Sequence, residues 1–181
     1  MGILDRFDLA GQAAIITGAG TGLGREMALS LAAVGCDIVG VGRRTEPIEA
    51  VGAEIRALGR RYLGCPGTDV TVSAQVEVMV RAAIAAMGRI SILINNAGLG
   101  GGVGTPFPEL TDEEWHSGIA ANLDSAFFCA RAIGPHMIEQ GGGRIINVSS
   151  VRGYRMRGGA NNFMYAVSKA AVMQLTRALA M

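Results

Sequence analysis

At 181 residues, half of them apolar and 17% charged, the chain can build one sizeable core and is too short for two ordinary domains. Sixteen Lys and Arg against fifteen Asp and Glu leave a net charge of +1, with no run of either sign to attract nucleic acid or an anionic membrane. The N-terminus lacks a basic start followed by an apolar stretch, and no segment nears about 18 uninterrupted apolar residues, so a soluble cytoplasmic protein is expected. Cys36, Cys65 and Cys129 are odd in number and far apart, and His116 and His136 are the only histidines. That pattern predicts three packed thiols and no metal site.

Short apolar runs alternate with stretches of helical period, the pattern of βα units around a parallel sheet. A first strand is expected at Ala13 to Thr17, followed by a helix carrying Leu23, Met27, Leu31 and Val34 on one stripe and stopped at Gly35. Ile38 to Val41 reads as a second buried strand. Thr45 then caps a helix with Pro47 in its first turn and Ile48, Val51, Ile55 and Leu58 on its apolar face, ending at Gly59. A strand near Tyr62 to Cys65, a helix from about Ser73 to Met87 and a strand Ile90 to Ile94 complete the first half. Gly98 to Pro108, with five glycines and two prolines, is a loop. Thr111 and Glu114 form a capping box ahead of one long helix to about Glu139. A strand Arg144 to Val148 and a helix from near Tyr165 follow, with no stop signal before Met181.

The turn after the first strand reads Thr17-Gly18-Ala19-Gly20-Thr21-Gly22-Leu23-Gly24. Glycines there let the backbone turn sharply and let the N–H groups of a helix start approach a pyrophosphate, whose charge the helix dipole favours. The spacing misses G-x-G-x-x-G while occupying the same strand-to-helix position.

That T-G-x-x-x-G-x-G spacing resembles the short-chain dehydrogenase/reductase family, and further pieces fall in the family's order. Asp69-Val70 ends the third strand, Asn95-Asn96-Ala97-Gly98 the fourth; Asn122 lies in the long helix, and Ser150, Tyr165 and Lys169 follow. The resemblance implies a Rossmann-like, doubly wound α/β sheet in three αβα layers, one NAD(P)-binding domain over residues 1–181. It implies a catalytic set of Asn122, Ser150, Tyr165 and Lys169. Cofactor contacts are expected from Gly18, Thr21, Gly22, Leu23, Gly24, Arg43, Asp69, Val70, Asn96, Ala97, Gly98, Tyr165 and Lys169, with Asp69 on adenine, Asn96 on the nearby ribose and Lys169 on the nicotinamide ribose.

The chemistry explains these residue types. Hydride transfer between a nicotinamide and a carbonyl carbon leaves an alkoxide that must be protonated in the same site. A phenol, with an ordinary pKa of about 10, donates readily but is a poor base unless its anion is stabilised. Tyr165 and Lys169 are one helical turn apart, and a charge pair roughly 4 Å apart at an effective dielectric of about 20 interacts by about 4 kcal/mol. Ser150 would donate to the substrate oxygen and hold it near Tyr165. Ser149 competes for that role, and strand alternation lets only one of the two face the site; the S-V-x-G run favours Ser150. The family comparison implies that Asn122 holds a water relaying protons to Lys169.

An acid at the end of the second strand selects NAD in such sheets, whereas an Arg there can pair with a 2′-phosphate. Here that end reads Val41-Gly42-Arg43-Arg44, and Asp37 lies at the strand's far end. NADP is expected, with NAD as the alternative. Arg152, Arg155 and Arg157, between the serine and the tyrosine, could hold a substrate carboxylate, or be solvated surface cations. Phe7-Asp8-Leu9 and Gly35 to Gly40 are similar to gluconate and deoxygluconate dehydrogenases of the family; a 3-oxoacyl reductase or general ketone reductase stays open. Family members usually continue past the last helix, so the chain is expected to be cut within it, leaving the fifth strand an edge. A homo-oligomer, dimer or tetramer, is expected through the Asn122 and Tyr165 helices. The alternative is an inactive nucleotide-binding or oligomerisation module.

Overall fold

The structure is a computed structural model, described here for residues 2, 6–100, 104–155 and 162–181. Five strands, β1 (Ala13–Thr17), β2 (Asp37–Gly42), β3 (Tyr62–Pro66), β4 (Ile92–Asn95) and β5 (Arg144–Asn147), form one sheet in the order β3-β2-β1-β4-β5, every neighbouring pair parallel. Parallel sheets are covered on both faces, which is why the central strand reads AAIIT with all five residues buried.

Alternation along the strands splits the core in two. Ala13, Ile15, Val39, Val41 and Leu93 face α3 (Ser73–Met87) and α5 (Ser125–Glu139); Ala14, Ile16, Ile38 and Ile94 face α1 (Gly22–Ala33) and α2 (Thr45–Ala57). The layers are therefore helix, sheet, helix, the expected Rossmann-like α/β class. The strand order reverses between β1 and β4, the switch point outside which ligands bind in open sheets.

Several local expectations are corrected. The buried face of α1 consists of Gly24, Ala28 and Ala32, while Leu23 is 69% exposed and Val34 38%. The helix lies so close to the sheet that small residues take its innermost face, while Met27, Leu29 and Leu31 pack against the core partly buried. In α2 the capping position is Arg44 and Thr45 is already helical; Leu58 is exposed beyond the helix end. The capping box at Thr111 and Glu114 is present. The single long helix is instead α4 (Asp112–Ile119), one π-helical turn (Ala120–Asp124) and α5. A short α6 (Val151–Tyr154) follows Ser150, and α7 (Phe163–Leu179) begins before Tyr165. Asp69 lies beyond β3 rather than at its end. β5 pairs with β4 alone among the described strands. All three cysteines are free thiols.

Candidate active site

The β1–α1 turn is built on the hydroxyl of Thr17, the first residue of the glycine motif, to which the sequence alone assigns no contact. Thr17 Oγ1 accepts from the main-chain N–H of Asn96 and of Ala97, both at 3.0 Å, and donates to Ile94 O, lashing the end of β4 to β1. Asn96 Nδ2 donates back to Thr17 O (3.0 Å) and Gly18 O (3.4 Å). Gly18 turns with φ +68°, in the left-handed region that a side chain resists. Gly24 sits where a Cβ would overlap Gly18 O and lie 2.6 Å from Asn96 Nδ2, so α1 starts hard against the turn. Thr21, the residue capping α1, makes no side-chain bond to the helix, and the first turn carries no acid. The free N–H groups there, with the dipole, suit an anion.

This turn opens on a cleft of about 800 Å³ along the carboxyl ends of the strands. Of the residues expected at a cofactor, Gly18, Thr21, Arg43, Asp69, Val70, Asn96, Ala97 and Gly98 line it; Gly22, Leu23, Gly24, Tyr165 and Lys169 do not. Leu23 points largely to solvent. Arg44, Pro47, Thr68 and Ser117 also line it. Asp69 accepts from the N–H and hydroxyl of Thr71 at 2.9 and 2.7 Å, and these bonds, with the nearby charge of Arg43, hold its carboxyl below the usual range. Asp37, far down β2, is spent on Arg61, with Arg61 Nε 2.7 Å from its Oδ2.

Gly98 joins the cleft to the second cluster. A Cβ on Gly98 would overlap Asn122 Oδ1 and lie 3.5 Å from Lys169 Nζ. Asn122, 2% exposed in the π turn, accepts from Leu99 N (3.1 Å) and donates through Nδ2 to Ser168 Oγ (3.1 Å). Ser168, fully buried, donates to Tyr165 O at 2.9 Å. A carboxamide has two N–H groups and a carbonyl with two lone pairs, so Asn122 keeps one of each unspent. Lys169, 5% exposed, donates to Val148 O at 2.8 Å and lies 5.9 Å from the centre of the half-buried Tyr165 ring, within cation–π reach. Burial lowers the ammonium's pKa from its ordinary 10.5. The two serines divide: Ser149 Oγ donates to Lys169 O (2.7 Å), while Ser150 caps α6, its Oγ accepting from Arg152 N (3.2 Å).

A π turn inside a helical stretch re-aims a side chain at a site, and here it turns Asn122 inward between Gly98 and α7. The family model described as short chain dehydrogenase matches residues 12–181. The chain belongs to the short-chain dehydrogenase family. This short-chain dehydrogenase, an oxidoreductase, is 40% identical over 179 residues to the 2-dehydro-3-deoxy-D-gluconate 5-dehydrogenase of Escherichia coli (strain K12), spanning 98% of this chain and 68% of that relative. A solved 7α-hydroxysteroid dehydrogenase complexed with NADH and 7-oxo glycochenodeoxycholic acid superposes with a TM-score of 0.92 at 33% identity, covering 99% of this chain and 68% of that one. The NADPH-dependent 3-quinuclidinone reductase of Rhodotorula rubra gives 0.92 at 30% identity, covering 99% and 67%. No helix among the described residues is long and apolar enough to cross a membrane.

Proposed function

We propose that this short-chain dehydrogenase interconverts a secondary alcohol and a ketone with NADP, Tyr165 exchanging the proton. The observation that carries the reading is the buried Lys169 ammonium, one helical turn from Tyr165, held on Val148 O behind Gly98, which lines the cleft. The residues present fit a dinucleotide: the unblocked start of α1 suits a pyrophosphate, and the cleft volume falls within the usual 300–1,000 Å³ of small-molecule sites. Arg43, exposed at the rim beside Asp69, carries the preference for a 2′-phosphate. The solved relatives named with NADH and with NADPH support a nicotinamide cofactor of either kind.

When bound, the nicotinamide supplies or accepts the hydride. Tyr165 Oη gives its proton to the carbonyl oxygen in reduction and takes it from the hydroxyl in oxidation. Lys169 favours the phenolate by its charge, and Ser150 donates to the substrate oxygen. The commitment of Ser149 to Lys169 O supports assigning that contact to Ser150. Asn122, with one N–H and one lone pair free, can hold the water that refills Lys169. The 40% identity to a dehydrogenase named for a deoxygluconate supports a sugar acid as the first substrate to try.

The reading extends to residues 1–181 as one nicotinamide-nucleotide-binding domain, to a homo-oligomer through α5 and α7, where Phe127 and Val167 are exposed, and to the cytoplasm, consistent with three free thiols. Steady-state oxidation of NADPH and NADH with 5-ketogluconate and a panel of neutral ketones tests it. Turnover that is lost in Tyr165→Phe supports the reading. Coenzyme binding without turnover of any ketone or alcohol rejects it.

A further inference from the structure

We propose that Arg152 anchors a carboxylate of the substrate, making a small hydroxy or keto acid the preferred class; the inference rests on the oxidoreductase reading above. Its main-chain N–H is bonded to Ser150 Oγ, which ties the arginine to the residue assigned to the reacting oxygen. The next residue, Gly153, is seated against α7 so closely that a Cβ would lie 2.6 Å from the carbonyl carbon of Lys169. Arg152 therefore springs from a segment held to Ser150 on one side and to the α7 main chain at Lys169 on the other.

Arg152 as a whole is half-buried, and its Nη1 is fully buried with no hydrogen-bond partner. A desolvated cationic donor left unpaired is costly, and such groups are rare in folded proteins unless a ligand or ion completes them. The chain offers no nearby counter-ion in sequence: from Gln140 to Met181 there are six basic residues and not one Asp or Glu. None of the ion pairs among the described residues involves Arg152. A planar fork of N–H donors matches a carboxylate bidentately, and an anion arriving with the substrate would satisfy it. Of the other two arginines that the sequence places in this loop, Arg155 is exposed and Arg157 lies outside the described residues.

The test is calorimetric titration of D-gluconate and of its neutral carboxamide, gluconamide, into the NADP-loaded protein, for the parent, Arg152→Met and Arg152→Lys. Methionine keeps an apolar stem in place, so folding is preserved while the fork is removed. The parent binds gluconate at least tenfold more tightly than gluconamide. Arg152→Met loses about 10–100-fold for the acid and less than threefold for the amide, and Arg152→Lys falls between. In turnover with 5-ketogluconate, KM rises by the same factor while kcat holds within threefold. Equal affinity of the parent for acid and amide, or equal losses for both in Arg152→Met, overturns the proposal. Arginine-dependent binding of gluconate in a parent that turns over no alcohol or ketone leaves the anchor standing and rejects the oxidoreductase reading alone.

Discussion

Lys169 is the side chain on which the site's electrostatics turn, because it is a cation held almost out of water. Desolvation lowers its pKa below the ordinary 10.5, so the unfolded chain binds that proton more tightly than the folded one. The charged lysine thus penalises folding at neutral pH, and the penalty fades as pH climbs through the folded pKa toward 10.5. Lys169→Met removes this penalty and loses the bond to Val148 O. Its stability relative to the parent is expected to be highest at neutral pH and to decline toward pH 10.5, as urea unfolding at several pH values will read; a pH-independent difference would mean that the ammonium is not desolvated. Tyr165→Phe is expected to lower kcat/KM by about 10²–10⁴-fold while leaving coenzyme affinity within about threefold. The nearness of these two side chains was readable from the sequence, because residues four apart on a helix share a face, and their proposed roles rest on that spacing. Thr17 was not: it stood inside the glycine motif, but its role depends on Asn96 and Ala97, which are brought to it by the sheet and not by the chain.

The strands and helices that carry the site were mostly apparent from apolar period, yet the failures share one cause, which is contact distance. On α1 the pattern of Leu23, Met27, Leu31 and Val34 points to a fully buried stripe, but Met27 and Leu31 are only partly buried against the core, Leu23 and Val34 are exposed, and Gly24, Ala28 and Ala32 take the innermost face. Small residues carry little hydrophobic signal, so a helix that packs through them is misread by about a third of a turn. The π turn was invisible for a related reason: one extra residue in a helical repeat changes no composition, although it decides where Asn122 faces. Close approach makes its own predictions. Thr17→Val strands the two N–H groups of Asn96 and Ala97, and at about 1–3 kcal/mol for each unsatisfied donor it is expected to cost about 2–6 kcal/mol in denaturant unfolding. Gly98→Ala drives a methyl into Asn122 Oδ1, an overpacking worth about 1–3 kcal/mol. If Asn122 matters to proton transfer, kcat falls in Gly98→Ala by at least tenfold. A variant with parental kcat would show that the contact between Gly98 and Asn122 is structural only.

The cleft draws its walls from the carboxyl ends of β1, β2 and β4, from the loop after β3 and from the residues flanking the start of the π turn, so a ligand filling it touches parts that are far apart in sequence. Binding at such a place stabilises the whole fold by mass action rather than locally. At a coenzyme concentration 100 times Kd the gain is about 2.7 kcal/mol, and at about 2–4 °C per kcal/mol for a chain of this size the unfolding midpoint rises by about 5–10 °C. Under the proposed NADP preference, the cation at the rim decides which coenzyme does this. Arg43 is exposed and free to pair with a 2′-phosphate, and losing a charge-assisted bond of about 1.5–3 kcal/mol weakens NADP by roughly 10–100-fold. At the same NADP concentration the shift in Arg43→Ala therefore shrinks to about 1–5 °C, while the shift with NAD changes little because NAD has no phosphate to lose. Differential scanning fluorimetry with both coenzymes on both proteins reads all four values. A parent that is stabilised more by NAD than by NADP, or an Arg43→Ala variant whose two shifts fall together, would show that Arg43 shapes the cleft without reading the phosphate.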